Sequence, residues 1–146
     1  MGKGYEIECK KCSYTRSVSV GVGMFHYSLE QCIKSVSKTE QIKIKEIISG
    51  KKNLIDEGEG ESVYQCSKCC AIANKFQIKL IKNNNTIYET KTLCYKCKID
   101  MKHLPCDQEE DTITGIKCPK CKSDAVTLSH NMMWDWLKKH SPIIPC

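Results

Sequence analysis

The sequence is poor in arginine, in aromatic residues and in long apolar runs. Only one of its 23 basic residues is an arginine, Arg16. No apolar run approaches the roughly 20 residues that a helix needs to cross a bilayer. The segment MGKGYEIECKK also lacks the apolar stretch of a secretory signal. We therefore expect a soluble cytoplasmic protein without a membrane partner.

The residues that usually build an apolar core are scarce as well. Ile, Leu, Val and Phe together make up 31 of the 146 residues, or 21%, which is near the lower limit for a chain that folds on hydrophobic burial alone. Cysteine is abundant instead, at 12 residues. In the cytoplasm disulfides are rare and clustered cysteines usually bind metal. The composition therefore predicts a small fold that metal stabilises.

The strongest motif is C-x-x-C, which occurs four times as CKKC, CSKC, CYKC and CPKC. We call each pair a knuckle. Two intervening residues let both sulfurs converge on one ion, while the intervening amides point at the thiolates, and two knuckles complete the closed tetrahedral shell of structural zinc. The predicted ligands of two Zn²⁺ ions are Cys9, Cys12, Cys66, Cys69, Cys94, Cys97, Cys118 and Cys121.

The pairing of the knuckles has two solutions. A sequential pairing joins the first knuckle to the second across 53 residues and the third to the fourth across 20. A nested pairing joins the second knuckle to the third across 24 residues and leaves the first with the fourth. We favour the sequential pairing because short loops close at lower entropic cost.

The apolar pattern predicts a small α+β fold, with two four-cysteine zinc ribbons of short antiparallel strands. A helical insertion is expected at about residues 28–50. The first ribbon, with this insertion and a hairpin strand, is assigned to residues 1–82, and the second ribbon to residues 83–146. We expect the two to form one compact unit.

Two further elements follow from local patterns. Phe76, Ile78 and Leu80 alternate with polar residues and predict one hairpin strand, which the asparagines 83–85 would turn. A short C-terminal helix is predicted from apolar residues at helical spacing, namely Met132, Met133, Trp136 and Leu137.

The run YEIECKKCSYTRSVSVGVGM, the later CPKCKSDAVTL and a Trp-Asp pair near the C-terminus resemble small bacterial zinc-ribbon proteins without an assigned function, and the rubredoxin-like ribbon class in general. The resemblance implies a fold and no activity. Such ribbons usually carry glycine after the second cysteine, where the backbone is left-handed. This chain has Ser13, Cys70, Lys98 and Lys122 there, which predicts loosened or differently hydrogen-bonded knuckles.

These features predict a non-catalytic zinc protein that acts as a protein- or nucleic-acid-binding module. The net charge of +6 falls to about +2 with two tetrathiolate zinc ions, and arginine, the preferred reader of phosphate, is nearly absent. We therefore favour a protein partner slightly. A nucleic acid would use lysines of the hairpin with an aromatic ring for stacking, namely Lys75, Lys79, Lys82 and Tyr88. The alternative is a rubredoxin-like iron electron carrier, because thiolate shells also accept iron.

The remaining cysteines have weaker interpretations. Cys32 is predicted to be buried on a helix face, and Cys70 is a candidate substitute ligand beside Cys69. His103 and Cys106 form an H-x-x-C pair that could start a third, open metal site with His140 or Cys146, the only basis for an enzyme that we find. Trp134 and Trp136 are candidate anchors for a partner, although such residues more often pack a terminal helix.

Overall fold

Short antiparallel strands dominate the computed structural model, which describes residues 2–22, 29–49, 55–56, 60–107 and 112–133. The strands are β1 (Lys3–Cys9), β2 (Thr15–Val20), β3 (Ile55–Asp56), β4 (Gly60–Gln65), β5 (Ile72–Gln77), β6 (Lys79–Lys82), β7 (Asn85–Glu89), β8 (Lys102–Leu104), β9 (Cys106–Asp107), β10 (Thr112–Ile113) and β11 (Val126–Met133). The helices are α1 (Leu29–Ile33) and α2 (Lys38–Ser49). In the described part of the chain, no helix is long and apolar enough to cross a membrane.

Two three-stranded sheets carry the knuckles and share one core. The first has the order β11-β1-β2 and the second the order β5-β4-β8. In β1 the alternation predicted from sequence is present, with Tyr5 and Ile7 fully buried while Glu8 is exposed. The shared core contains apolar residues from both sheets and from the segment around β10, namely Tyr5, Ile7, Val18, Val63, Ile72, Leu104, Ile113 and Ile116.

The two sheets meet where the end of β2 lies beside the start of β4, the central strand of the second sheet. The backbones of Gly21 and Glu61 exchange two hydrogen bonds of 2.9 and 2.8 Å. Nearby, Nδ2 of the Asn74 side chain donates to the backbone carbonyl oxygen of Ser19 at 2.8 Å. A Cβ atom on Gly60 would lie 2.9 Å from the carbonyl carbon of Gly21, so this contact requires glycine.

The helical insertion packs on a third sheet, of order β3-β6-β7. Ile44 of α2 is fully buried, in a core that also contains residues of α1 and of the strands, namely Cys32, Ile33, Phe76, Ile78 and Leu80. The predicted insertion is therefore helical, and within the described residues it forms two helices. Cys32 is buried, as expected from its place on a helix face.

The predicted single strand through Phe76, Ile78 and Leu80 is wrong, because the chain changes sheets at Ile78. Strand β5 ends at Gln77 and β6 begins at Lys79. At the junction the amide of Ile78 donates to Oγ1 of Thr90, and the carbonyl oxygen of Ile78 accepts from the Thr90 amide, both at 3.0 Å. The predicted turn is present: the two asparagines 83 and 84 have φ of 52° and 62°.

The predicted C-terminal helix is absent from its first two residues, Met132 and Met133, which form a strand instead. Met132 and Met133 belong to β11 and pair with Gly4 and Lys3, while residues 134–146 lie outside the described residues. This pairing also joins strands from either side of the predicted boundary at residues 82 and 83.

Candidate metal centres

All four knuckles have the same backbone structure. In each, the amide of the residue after the second cysteine donates to the carbonyl oxygen of the first cysteine, at 2.8–3.0 Å. The amide of the first cysteine in turn donates to the carbonyl oxygen five residues later, at 2.8–2.9 Å. The first intervening residue differs in every knuckle and the second is lysine in all four, so this geometry does not depend on which residue follows the first cysteine.

The residue after the second cysteine is left-handed in every knuckle although none is glycine. Its φ lies between 54° and 59° at Ser13, Cys70, Lys98 and Lys122. The expectation of loosened or differently bonded knuckles is therefore wrong. These side chains accept a conformation that costs an L-residue about 1–2 kcal/mol, and the two backbone hydrogen bonds hold it in place.

The second and third knuckles form the inner centre, which is Cys66, Cys69, Cys94 and Cys97. Cys66 follows directly after β4, and Cys66 and Cys94 are fully buried. The Sγ atoms of Cys69 and Cys94 are 3.6 Å apart. A small apolar cluster of Tyr64, Ala71 and Met101 packs beside the thiols.

The first and fourth knuckles form the outer centre, which is Cys9, Cys12, Cys118 and Cys121. The Sγ atoms of Cys9 and Cys121 are 3.5 Å apart, and those of Cys12 and Cys118 are 3.4 Å apart. Cys9 and Cys118 are buried, whereas Cys121 is exposed. The outer centre therefore reaches the surface of the protein.

The sulfur positions suit a tetrahedral ion better than a disulfide. A bridge would need about 2.05 Å between sulfurs, whereas a tetrahedron with metal–sulfur bonds of about 2.3 Å places its sulfurs about 3.8 Å apart. In each centre all four Sγ atoms lie within 4.8 Å of one another. Each group of four cysteines could thus hold one metal ion.

The structure has the nested pairing of the knuckles, so the predicted sequential pairing is wrong. Sequential pairing closes loops of 53 and 20 residues, and nested pairing closes loops of 24 and 105 residues. The free energy of loop closure differs between them by only about 0.8 kcal/mol, because this entropic cost grows with the logarithm of loop length. The ladder between β1 and β11 pairs seven residues of β1, from Lys3 to Cys9. A ladder of that length outweighs so small an entropic difference, and it places Cys9 beside the fourth knuckle.

Backbone amides lower the pKa of one thiol in each centre, while burial and hydrogen bonds between thiols raise the pKa of another. Hydrogen bonds from the backbone of Cys69, with a smaller contribution from Lys68, outweigh burial and lower the pKa of the Cys66 thiol to about 6. The hydrogen bond to Cys69 and then burial raise the pKa of Cys97 to about 12. In the outer centre, burial opposes the amides of Cys121 and Lys120, which nevertheless lower the pKa of Cys118 to about 6. Burial and the hydrogen bond to Cys118 raise the pKa of Cys12 to about 12.

A buried glutamine links the two centres, although no sequence motif indicates it. The side-chain amide of Gln65 donates to the carbonyl oxygens of Cys70, at 3.0 Å, and Lys117, at 2.7 Å. Its Oε1 accepts from the Lys117 amide at 2.9 Å. Gln65 precedes Cys66 and Lys117 precedes Cys118, so one side chain holds the second and fourth knuckles together. Its only sequence signal is its position in a strand that ends at a ligand.

The other candidate ligands are not brought together. The ring of His103 packs against Tyr64, with centroids 5.4 Å apart, whereas Sγ of Cys106 lies 3.5 Å from the hydroxyl of Tyr5. Among the described residues, only the two groups of four cysteines gather three or more potential ligands, and Cys70 is in neither group. His140, Cys146, Trp134 and Trp136 lie outside the described residues.

The hairpin surface predicted for nucleic acid is only partly accessible. Lys75 is exposed, but Lys79 and Lys82 are half-buried, and Tyr88 packs against the core beneath the helices. Burial, and then the carboxylate of Glu40, raise the pKa of the Tyr88 hydroxyl. The Tyr88 ring is therefore not a free stacking surface.

Comparison with known families, curated proteins and solved structures gives no match. The zinc-ribbon resemblance therefore stays a prediction.

Proposed function

We propose that this protein is a non-catalytic binding module in which two Zn²⁺ ions take the place of a large apolar core. The observation that carries the proposal is the gathering of eight knuckle thiols into two groups of four. Four thiolates close the coordination shell of zinc, whereas catalytic zinc keeps an open position for water or substrate. The ions would stabilise a surface that contacts a partner.

The energy available from such ions is large compared with what the fold needs. Structural zinc in small domains binds with about 10–16 kcal/mol per ion, whereas the net stability of an ordinary domain is about 5–15 kcal/mol. Removal of both ions is therefore expected to unfold the two sheets that carry the knuckles.

Iron in one centre, as in a rubredoxin-like electron carrier, is the alternative function. The same four-thiolate shell accepts iron. The exposed Cys121 favours the outer centre for this role, because electron exchange needs a metal close to the surface.

Native mass spectrometry with elemental analysis of the full chain tests the proposal. We expect two zinc ions per chain and loss of the circular dichroism signal when a strong chelator removes them. Cys94→Ser should lower the metal content, and Cys106→Ser, which changes a half-buried thiol outside both centres, should leave it at two. A protein that binds no metal, or that stays fully folded without it, would overturn the proposal. Bound iron with a reversible redox wave would establish the electron carrier instead.

A further inference from the structure

A groove of about 410 Å³ lies between the two centres and takes its walls from both. The third knuckle contributes Tyr95 and Lys96, and the fourth contributes Pro119 and Lys120. The segment after the first knuckle adds Tyr14 and Arg16, and β5 adds Ile72. The groove therefore depends on the pairing of the knuckles for its shape.

The side chains of the groove are positively charged. The only arginine of the chain, Arg16, is among them, together with Lys96 and Lys120. All three side chains are exposed. The described residues that line the groove include no carboxylate, so the occupant that complements this surface is an anion.

The groove also presents an unpacked aromatic ring. The side chain of Tyr95 is 67% exposed, and Nζ of Lys96 lies 5.5 Å from the centre of its ring. Tyr14, which also lines the groove, is half-buried. Exposed rings beside cations are the elements of sequence-tolerant binding to single-stranded nucleic acid, where bases stack and phosphates pair with the cations.

The positive charges near the knuckles exceed what is needed to balance the negative charge of the thiolates. Two tetrathiolate zinc ions would carry a charge of about −4. Ten exposed cations lie within four residues of a knuckle, namely Lys10, Lys11, Arg16, Lys68, Lys91, Lys96, Lys98, Lys117, Lys120 and Lys122. With the exposed carboxylates of Glu8, Asp100 and Asp124 in the same range, a net charge of about +3 remains. Charge balance also gives no reason for the exposed ring of Tyr95.

Resting on the proposed function, we propose that the groove binds single-stranded nucleic acid. Arg16, Lys96 and Lys120 contact consecutive phosphates, and one unpaired base stacks on the ring of Tyr95. A duplex is a poor ligand because its bases are already stacked on one another. An acidic peptide would satisfy the cations but would leave the ring without a partner.

Fluorescence anisotropy with the zinc-loaded full chain and labelled 12-nucleotide strands of thymidylate and uridylate tests this proposal. Tyr95→Ala should weaken binding roughly 5- to 140-fold, the effect of losing one stacked base, while Tyr95→Phe should bind normally. Better binding of one strand type would identify the source as DNA or RNA. A triple variant, Arg16→Gln/Lys96→Gln/Lys120→Gln, should reduce the slope of log affinity against log salt by about 2, because each phosphate contact contributes about 0.7.

The matched control is Lys38→Gln/Lys43→Gln/Lys45→Gln, which removes the same charge from exposed positions on α2. It should leave affinity and salt slope nearly unchanged. Equal losses of affinity in the two triple variants would overturn the proposal. So would a second result, in which polyglutamate of equal charge displaces the strand and binds Tyr95→Ala as tightly as the unchanged protein. Native mass spectrometry of each variant separates the two proposals. A protein that holds two zinc ions but binds no nucleic acid would contradict only the proposal for the groove. A protein without metal would contradict the proposed zinc-stabilised module.

Discussion

Non-glycine residues hold the left-handed position of every knuckle, and the cost of this choice can be measured. Lys122 has φ of 58°, while Lys120, two residues earlier in the same turn, is not among the residues with positive φ. Both lysines are exposed. The pair therefore separates backbone strain from charge.

Lys122→Gly is expected to stabilise the zinc-loaded protein by about 0.5–1 kcal/mol. It removes about 1–2 kcal/mol of left-handed strain and loses about 0.5–1 kcal/mol through the greater freedom of glycine in the unfolded chain. Lys120→Gly, which has the same change in charge and no strain to relieve, should destabilise. Urea unfolding measures both, and equal effects would show that the left-handed position carries no strain.

Gln65 is the second residue whose contribution can be isolated. Gln65→Met keeps the size of the side chain but removes its hydrogen bonds to Cys70 and Lys117, leaving buried polar groups without partners. We expect a loss of about 2 kcal/mol in urea unfolding. Gln77→Met is the control, because the side chain of Gln77 donates to Glu89 in an exposed contact and accepts a long hydrogen bond of 3.3 Å from Ser62, so its loss should cost less. A similar loss in both variants would contradict a linking role for Gln65.

Between elements, the contact of Gly21 with Gly60 holds the first sheet against the start of β4 in the second. Gly60 has φ of 146°, and a Cβ there would meet the backbone of Gly21. Gly60→Ala should therefore destabilise by about 2–3 kcal/mol, since it adds backbone strain and separates β2 from β4.

Gly115→Ala is the matched control for that variant. Gly115 also has positive φ, at 78°, but a Cβ there has no atom within 4 Å, so only the conformational cost applies. Thermal unfolding of the zinc-loaded variants compares them. A Gly115→Ala loss as large as that of Gly60→Ala would show that the close approach is unimportant.

Local patterns predicted the elements better than they predicted the contacts between them. The alternation in β1, the helices of the insertion and the asparagine turn follow from neighbouring residues, and the grouping of the knuckle thiols in fours follows from their spacing. The partner of each knuckle does not, because it depends on the ladder between β1 and β11, whose strands are more than 100 residues apart in the chain. The sheet change at Ile78 depends on Thr90, which no strand pattern indicates.

At the scale of the whole molecule, the mixed protonation of the thiols makes metal binding depend on pH. Near pH 7.5 the thiols of Cys66 and Cys118, with pKa about 6, are ionised, while those of Cys12 and Cys97, with pKa about 12, are protonated. A bound ion requires thiolates. Each centre would therefore release at least one proton when an ion binds at this pH.

Zinc affinity should accordingly fall as the pH falls, and more steeply below pH 6. There Cys66 and Cys118 also become protonated, so that each ion displaces about one further proton. Isothermal titration calorimetry in buffers of different ionisation enthalpy measures the number of protons released. An affinity that does not change between pH 5 and pH 8 would contradict the mixed protonation.

The nesting of the centres gives their assembly an order in time during protein synthesis. All ligands of the inner centre have been made once Cys97 is added, whereas the outer centre must wait another 24 residues for Cys121, or about 1–5 s at ordinary translation rates. During synthesis the cysteines of the first and second knuckles exist before the partner of either. An ion bound by Cys9, Cys12, Cys66 and Cys69 at that stage would have to exchange two of its thiolates before the nested centres could form.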